Sequence, residues 1–404
     1  MEFYLPYERA LEIILSQDFR LPHETVYLPQ AYGRVLAEDI RADADSPQAP
    51  LSAMDGYAVS SSRTPGSFRV IGEVPAGTLP PLSPEGGEAV KLFTGSFLPS
   101  GCDAVVPVED VELSGSEVLV RRAYTSGTNV RPAGEDFRKG TLLLRGGELI
   151  GAAEMGLIAA AGRTAVKVCS KPRVGIVATG SEVIEPFEPL DSQVKVRNTN
   201  AYLLMGLLLE AGAEPLYFGV TGDRREALRE SLERALSICD IVLTSGGVSA
   251  GDYDFVKEVL PELGVEVLFY KCRVKPGKPV LFGRKGSKYL FGLPGFPVST
   301  VVSFYSFVYP FLRKAMGCRE LFKKRVKALL TSPFKRKKAE RLEFVRVSYS
   351  YDLKEGVYKA SPLKRQGSGV LTSLRGQVAL MPVSPGVYSL PEGSEVELIL
   401  IKED

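Results

Sequence analysis

Apolar residues recur at helical spacing from Tyr7 to Ser16, where Leu11, Ile14 and Leu15 share a face, so the pattern predicts an amphipathic helix near the start. A second apolar-periodic stretch runs from Leu28 to Ile40. From about Asp45 to Pro132 the texture changes to short Val, Ile and Phe runs between turns such as Val74-Pro75-Ala76-Gly77-Thr78 and Leu98-Pro99-Ser100-Gly101. That alternation of β-formers with Pro and Gly predicts a small β-rich domain. Gly151 to Gly162 is alanine-rich and reads as a helix, which leads through Ser170-Lys171-Pro172 into a new domain.

From Arg173 to about Gly317 strands and helices alternate. The expected strands are Val174–Ala178, Leu216–Val220, Ile241–Leu243, Val265–Tyr270, Pro279–Phe282 and Tyr289–Phe291. The expected helices are Ala201–Ala211, Arg224–Ser237, Tyr253–Leu260 and Val298–Met316, the first capped within Asn198-Thr199-Asn200 and ended by Gly212. Such alternation predicts a doubly wound, mostly parallel sheet with helices on both faces. Beyond Gly317 the apolar runs Val345–Tyr351, Gln377–Met381 and Val396–Ile401 predict a C-terminal β-barrel or sandwich. The expectation is therefore a multidomain α/β protein: an N-terminal helical and linker domain from 1–45 and 133–170, an inserted small β domain at 46–132, a central α/β domain at 171–317 and a C-terminal β-barrel at 318–404.

Composition narrows the chemistry. In 404 residues the formal net charge is only +2, so no global field recruits nucleic acid or anionic lipid, and any anion site must be local. The run Lys335-Arg336-Lys337-Lys338 is short and lacks interleaved aromatics, so it reads as a solvated loop. The five cysteines are scattered and form no C-x-x-C pair, which argues against a disulfide framework or a cysteine-rich zinc site and for a reducing compartment. Met1-Glu2-Phe3-Tyr4 carries no basic stretch before an apolar core, and the longest apolar run, Val298 to Leu312, is shorter than the roughly 20 residues of a membrane span. A cytoplasmic protein without a membrane segment is expected. The single histidine, His23, removes multi-histidine metal sites and reads as a surface loop residue.

What remains is carboxylates, lysines and backbone amides, and these gather in loops where an open α/β sheet binds ligands, outside the carboxyl ends of its strands. The loops are Thr179-Gly180-Ser181-Glu182, Thr221-Gly222-Asp223, Thr244-Ser245-Gly246-Gly247-Val248-Ser249 with Gly251-Asp252-Tyr253-Asp254, Lys275-Pro276-Gly277-Lys278, and Leu293-Pro294-Gly295-Phe296-Pro297-Val298-Ser299. Gly246-Gly247 lets backbone approach a phosphate, Lys275 and Lys278 add positive charge, and Glu182, Asp223, Asp252 and Asp254 are the type of group that holds Mg²⁺ against phosphates. Singly, each of these is a turn, a cap or a solvated lysine. Five such loops at one rim point instead to one site for a phosphorylated ligand. No Walker or dinucleotide motif is present, so the nucleotide class is not readable from general motifs.

These blocks also occur in a telling order. Tyr32-Gly33-Arg34-Val35-Leu36-Ala37-Glu38-Asp39, Ser52-Ala53-Met54-Asp55-Gly56-Tyr57-Ala58-Val59, Val74-Pro75-Ala76-Gly77, Thr94-Gly95, Asp103-Ala104-Val105-Val106, Thr244 to Ser249, Lys275 to Pro279, Leu293-Pro294-Gly295 and Gln366-Gly367-Ser368-Gly369 together resemble the molybdopterin molybdenumtransferase family, which includes MoeA and the gephyrin E domain. The resemblance implies an enzyme that takes molybdate and adenylylated molybdopterin, inserts the metal into the dithiolene and releases AMP with the help of Mg²⁺. It also implies an elongated homodimer of four-domain subunits, with a site between the α/β domain of one subunit and the small β domain of the other. By motif position Asp55, Thr94, Glu182, Asp223 and Asp254 belong to the catalytic set, the last three being the implied cation ligands. Ser245, Gly246 and Gly247 match a phosphate cradle. Lys275, Lys278 and Ser299 match the oxyanion region, with Pro294 and Pro297 in the same ligand-binding set and Arg341 (or its competitor Arg346) and Ser368 completing it. Molybdopterin adenylyltransferase and molybdoenzyme apoproteins are the implied partners, with no nucleic acid. The chain departs from the family pattern at Phe296, where Asn is usual, at Pro50-Leu51 and at Cys102. A molybdopterin adenylyltransferase and a non-enzymatic cofactor-binding scaffold are the competing readings.

Overall fold

The computed structural model describes residues 1–222, 224–248 and 255–402. Its centre is a seven-stranded sheet in the order Glu2–Leu5, Glu266–Cys272, Leu281–Lys285, Lys288–Leu293, Ile241–Ser245, Arg173–Thr179, Glu214–Thr221. All neighbours are parallel except those of Leu281–Lys285, which runs antiparallel to both of its partners. The inner strands alternate between two cores, which is why they read as continuous apolar runs. Val174, Ile176, Leu243, Phe282 and Phe291 face one core, whereas Val177, Val242, Leu281 and Leu290 face the other. Helices Asn200–Glu210 and Tyr7–Leu15 cover the first face, and Arg225–Ile238 and Phe255–Glu262 cover the second.

The long helix after the last central strand is α-helical over Pro297–Ser303 and Tyr309–Ala315, with a π-helical turn at Phe304–Val308 between them. Pro310 accounts for the widening: it brings no N–H and its ring crowds the carbonyl one turn earlier, and a π turn relieves both. The buried face of this helix is mostly apolar, with the hydroxyls of Ser299, Thr300, Ser303 and Ser306 set among Val and Phe side chains. Phe311 lies 5.4 Å from Phe19, 4.9 Å from Tyr289 and 5.6 Å from Phe291 between ring centroids, so truncating it costs about 3–5 kcal/mol.

The β-rich segment forms a six-stranded sheet, Ala104–Pro107, Gly56–Val59, Glu88–Leu92, Gly66–Val74, Glu117–Val120, Val111–Ser114, with its own small cores. At the C-terminus Leu342–Asp352, Val357–Pro362, Arg325–Leu330, Glu395–Leu400 and Val378–Val383 pair in turn, and Val378–Val383 returns to Leu342–Asp352, closing a barrel rather than a sandwich. The two-residue strand Val274–Lys275 pairs with Leu342 and Glu343, which fixes the barrel against the central domain's rim.

Three sequence expectations change. Leu28–Ile40 is not a helix but one 3₁₀ turn, Leu28–Gln30, followed by irregular chain. His23 is exposed but opens strand His23–Tyr27, which pairs with Ala165–Cys169. The basic run at 335–338 is not a solvated loop throughout, because the Arg336 side chain is buried. The five cysteines are free, and among the described residues no helix is long and apolar enough to cross a membrane.

Candidate active site

The loops after Arg173–Thr179, Ile241–Ser245 and Lys288–Leu293 open at one rim because these strands are parallel. The segment 273–280 joins them, since it leaves the carboxyl end of Glu266–Cys272 and enters the antiparallel Leu281–Lys285 from the same side. With Arg341, Glu343 and Gln366–Gly369 of the barrel they wall a cleft of about 1360 Å³. Glu182, Ser245, Gly246, Gly247, Lys275, Lys278, Pro294, Pro297, Ser299, Arg341 and Ser368 all line it.

The glycine pair has a steric cause. Gly246 has φ +93°, and a Cβ there would sit 2.8 Å from Thr179 Oγ1; Gly247 has φ +67°, and its Cβ would meet Val256 Cγ2 at 2.7 Å. Only glycine accepts both the left-handed backbone and the close approach. The Gly246 N–H donates to Leu293 O at 3.0 Å, so among the described residues it is the Gly247 amide that is left for an anion. Asn200, read from sequence only as cap chemistry, ties the rim together: its buried Nδ2 donates to Ser245 Oγ and to Gly295 O, each at 2.8 Å. Its neighbour Asn198 does the capping, with Oδ1 accepting the Ala201 N–H at 3.1 Å.

The cations at the cleft differ in how they are held. Lys275 is not free: its Nζ lies 2.8 Å from Glu343 Oε1, and Glu343 Oε2 in turn lies 3.3 Å from the buried Arg336 guanidinium. Lys278 makes no ion pair among the described residues, and its ammonium sits 5.4 Å from the centroid of the Tyr4 ring. Arg341 reaches the cleft with one guanidinium nitrogen 3.3 Å from Val274 O. Its competitor Arg346 is almost fully buried behind the barrel loop, where it donates to Gly367 O and Arg365 O at 3.1 and 3.0 Å. Burial lowers its pKa, and its role is to shape the Gln366–Ser368 loop rather than to meet a ligand. Lys195 and Arg197 also line the cleft and were missed in sequence, because the polar segment at 185–195 carries no motif.

Of the acidic set, Glu182 lines the cleft, while Asp223, Asp252 and Asp254 lie outside the described residues. Among the described residues no group of three or more metal-ligating side chains forms. Asp55 and Thr94 do not line the cleft. They meet each other in turns at the end of the β-rich sheet, where the Thr94 N–H and hydroxyl donate to Asp55 Oδ1 at 2.7 and 2.9 Å. Those bonds, the backbone one foremost, hold the exposed Asp55 carboxyl below its usual range.

Known proteins resemble this chain along nearly its whole length. Residues 5–162 match the MoeA N-terminal region (domain I and II), 175–314 a probable molybdopterin binding domain, and 327–401 the MoeA C-terminal region (domain IV). The chain is 32% identical to the molybdopterin molybdenumtransferase of Bacillus subtilis, over 99% of this chain and 95% of that one. The chain belongs to the MoeA family. The Nostoc molybdopterin molybdenumtransferase is 37% identical over 76% of this chain and 72% of its own. The crystal structure of the molybdopterin biosynthesis MoeA protein from Pyrococcus horikoshii OT3 superposes with a TM-score of 0.84 at 34% identity, covering 98% of this chain and all of that one. Phe296 also lines the cleft. The residue is 62% exposed at the cleft, with its ring in van der Waals range of Gly369 on the barrel loop.

Proposed function

We propose that this MoeA-family chain inserts molybdate into adenylylated molybdopterin and releases AMP, the metal-insertion step of molybdenum cofactor biosynthesis. The observation that carries the reading is the convergence, in one cleft, of a glycine-pair loop whose Gly247 amide has no hydrogen-bond partner among the described residues, of Lys278, which makes no ion pair among them, of Arg341, and of the Ser299 and Ser368 segments. Phosphate suits the Gly247 amide beside Ser245, whose hydroxyl Asn200 orients. A tetrahedral dianion suits Lys278 with Arg341, which concentrate positive charge at the barrel side of the cleft.

Mg²⁺ fits this cleft by the donor that is present. Glu182 stands at the rim without a described cation partner, and Mg²⁺ is commonly held by one or two carboxylates together with substrate phosphates. Asp223 and Asp254 are the further candidate ligands on sequence grounds. When bound, the ion would offset the charge of the pyrophosphate linkage and polarise it. Asp55 with Thr94 would belong to the same reaction centre by facing the cleft of a second subunit in a homodimer. Molybdopterin adenylyltransferase upstream and molybdoenzyme apoproteins downstream are the expected partners, in the cytoplasm.

The decisive experiment follows AMP release from adenylylated molybdopterin by the purified protein. Release should require molybdate and stop in EDTA, with Mg²⁺ restoring it. Equal release without molybdate would sink the insertion reading, and undiminished release in EDTA would remove the cation from it.

A further inference from the structure

The first four residues after Met1 form an edge strand, Glu2–Leu5, that pairs with Glu266–Cys272 through Glu2 with Phe269, Phe3 with Tyr270 and Leu5 with Cys272. Tyr4 is the residue out of line. Its φ is +54°, a conformation that bulky side chains rarely adopt and that the surroundings must hold. Arg273 holds it: its backbone N–H donates to Leu5 O at 2.7 Å and its Nε to Tyr4 O at 3.1 Å. The consequence is that the Tyr4 ring leaves the strand's ordinary alternation and meets two cations. The Arg273 guanidinium carbon lies 5.2 Å from the ring centroid and the Lys278 ammonium 5.4 Å. Both distances are within the range over which an aromatic quadrupole attracts a cation.

The contrast with Lys275 gives this contact its meaning. Glu343 holds Lys275 in place and neutralises it. A ring face fixes an ammonium without cancelling its charge. The Lys278 backbone is already anchored, because its carbonyl accepts from Cys272 N at 3.0 Å and Val280 N at 3.1 Å. Only the side chain's outer end needs a support, and Tyr4 is placed to supply it. We propose that Tyr4 is a positioning residue for the oxyanion corner of the cleft: its ring holds Lys278 pointed at the ligand with the full positive charge retained. This rests on the reading of Lys278 as an oxyanion ligand.

The experiment is a molybdate titration of AMP release by the full-length protein and its variants. Tyr4→Gly accepts the positive φ and removes the ring, so it folds. Its half-saturating molybdate rises about 3- to 10-fold. Tyr4→Phe keeps the ring face and stays within about twofold of the parent, whereas Tyr4→Leu keeps bulk, loses the π face and follows Tyr4→Gly. In a Lys278→Ala background Tyr4→Gly adds nothing, because the two act through one contact. Three outcomes overturn the proposal. If Lys278→Ala raises the half-saturation and Tyr4→Gly does not, or if the two effects add, Tyr4 has no positioning role although the oxyanion reading stands. If Lys278→Ala itself changes nothing, the oxyanion reading falls and Tyr4 falls with it.

Discussion

A lysine in the 275–278 loop has two fates in this cleft, and sequence does not distinguish them. Lys275 and Lys278 are separated by Pro276-Gly277 and look equivalent along the chain. The first is neutralised by Glu343 and the second faces a tyrosine ring, because their partners come from the barrel and from the N-terminal strand. The same folding places Arg346 in the interior and Arg341 at the cleft, although both lie in one basic stretch. Glu343 illustrates which effect dominates at this scale. Its side chain is 7% exposed and that of Arg336 4%, whereas that of Lys275 is 46% exposed. Glu343→Gln strands a buried guanidinium charge and should lower the unfolding free energy by about 3 kcal/mol. Lys275→Ala removes a half-solvated partner and should cost less than about 1 kcal/mol. Chemical denaturation of the two variants checks the ordering, and equal losses would show that Arg336 does not depend on Glu343.

At the scale of elements the central strands were legible to within a few residues, because a strand buried on both faces writes an uninterrupted apolar run. Arg173–Thr179 and Ile241–Ser245 are of this kind. Glu2–Leu5 was not legible, since it is short and its pairing partner lies far along the chain. Leu28–Ile40 misled for the opposite reason: its apolar residues feed a core through bridges and turns, not through a helical face. The turn at Gly246-Gly247 is where element geometry and chemistry meet. Gly247→Ala must place a Cβ 2.7 Å from Val256 Cγ2 at a φ of +67°. The strain should cost about 1–3 kcal/mol in stability. The loop can relieve it only by shifting the Gly247 backbone at the cleft, and a displacement near 1 Å costs on the order of 100-fold in turnover. Calorimetry together with the AMP-release rate reads both. A variant that lost stability but kept full turnover would show that the Gly247 amide does not contact the reacting ligand.

At the scale of the whole molecule the succession of units was legible from turn chemistry and motif order, but not how the units meet. The cleft is built by the central sheet and the barrel, which touch through Val274–Lys275 and through the Val298 N–H donating to Ser368 O at 3.0 Å. Asp55 and Thr94 sit in turns at the end of a separate sheet and are absent from that cleft. If they serve the reaction, a second subunit has to bring them, and twofold symmetry is the commonest way a chain completes a site with its own copy. Asp55→Ala damages only the small-domain side, and Lys278→Ala only the cleft side. Each homodimer is then impaired at both of its sites. In a mixed dimer the wild-type small domain of one subunit faces the wild-type cleft of the other, so one site is intact and the second carries both changes. Random exchange makes about half of the dimers mixed, so about a quarter of all sites regain full composition. Mixing the two variants under conditions that allow subunit exchange should therefore restore AMP release to roughly a quarter of the wild-type rate. Activity no greater than the average of the separate variants, with exchange verified by mass spectrometry, would place Asp55 and Lys278 in the same chain's site or remove Asp55 from the reaction.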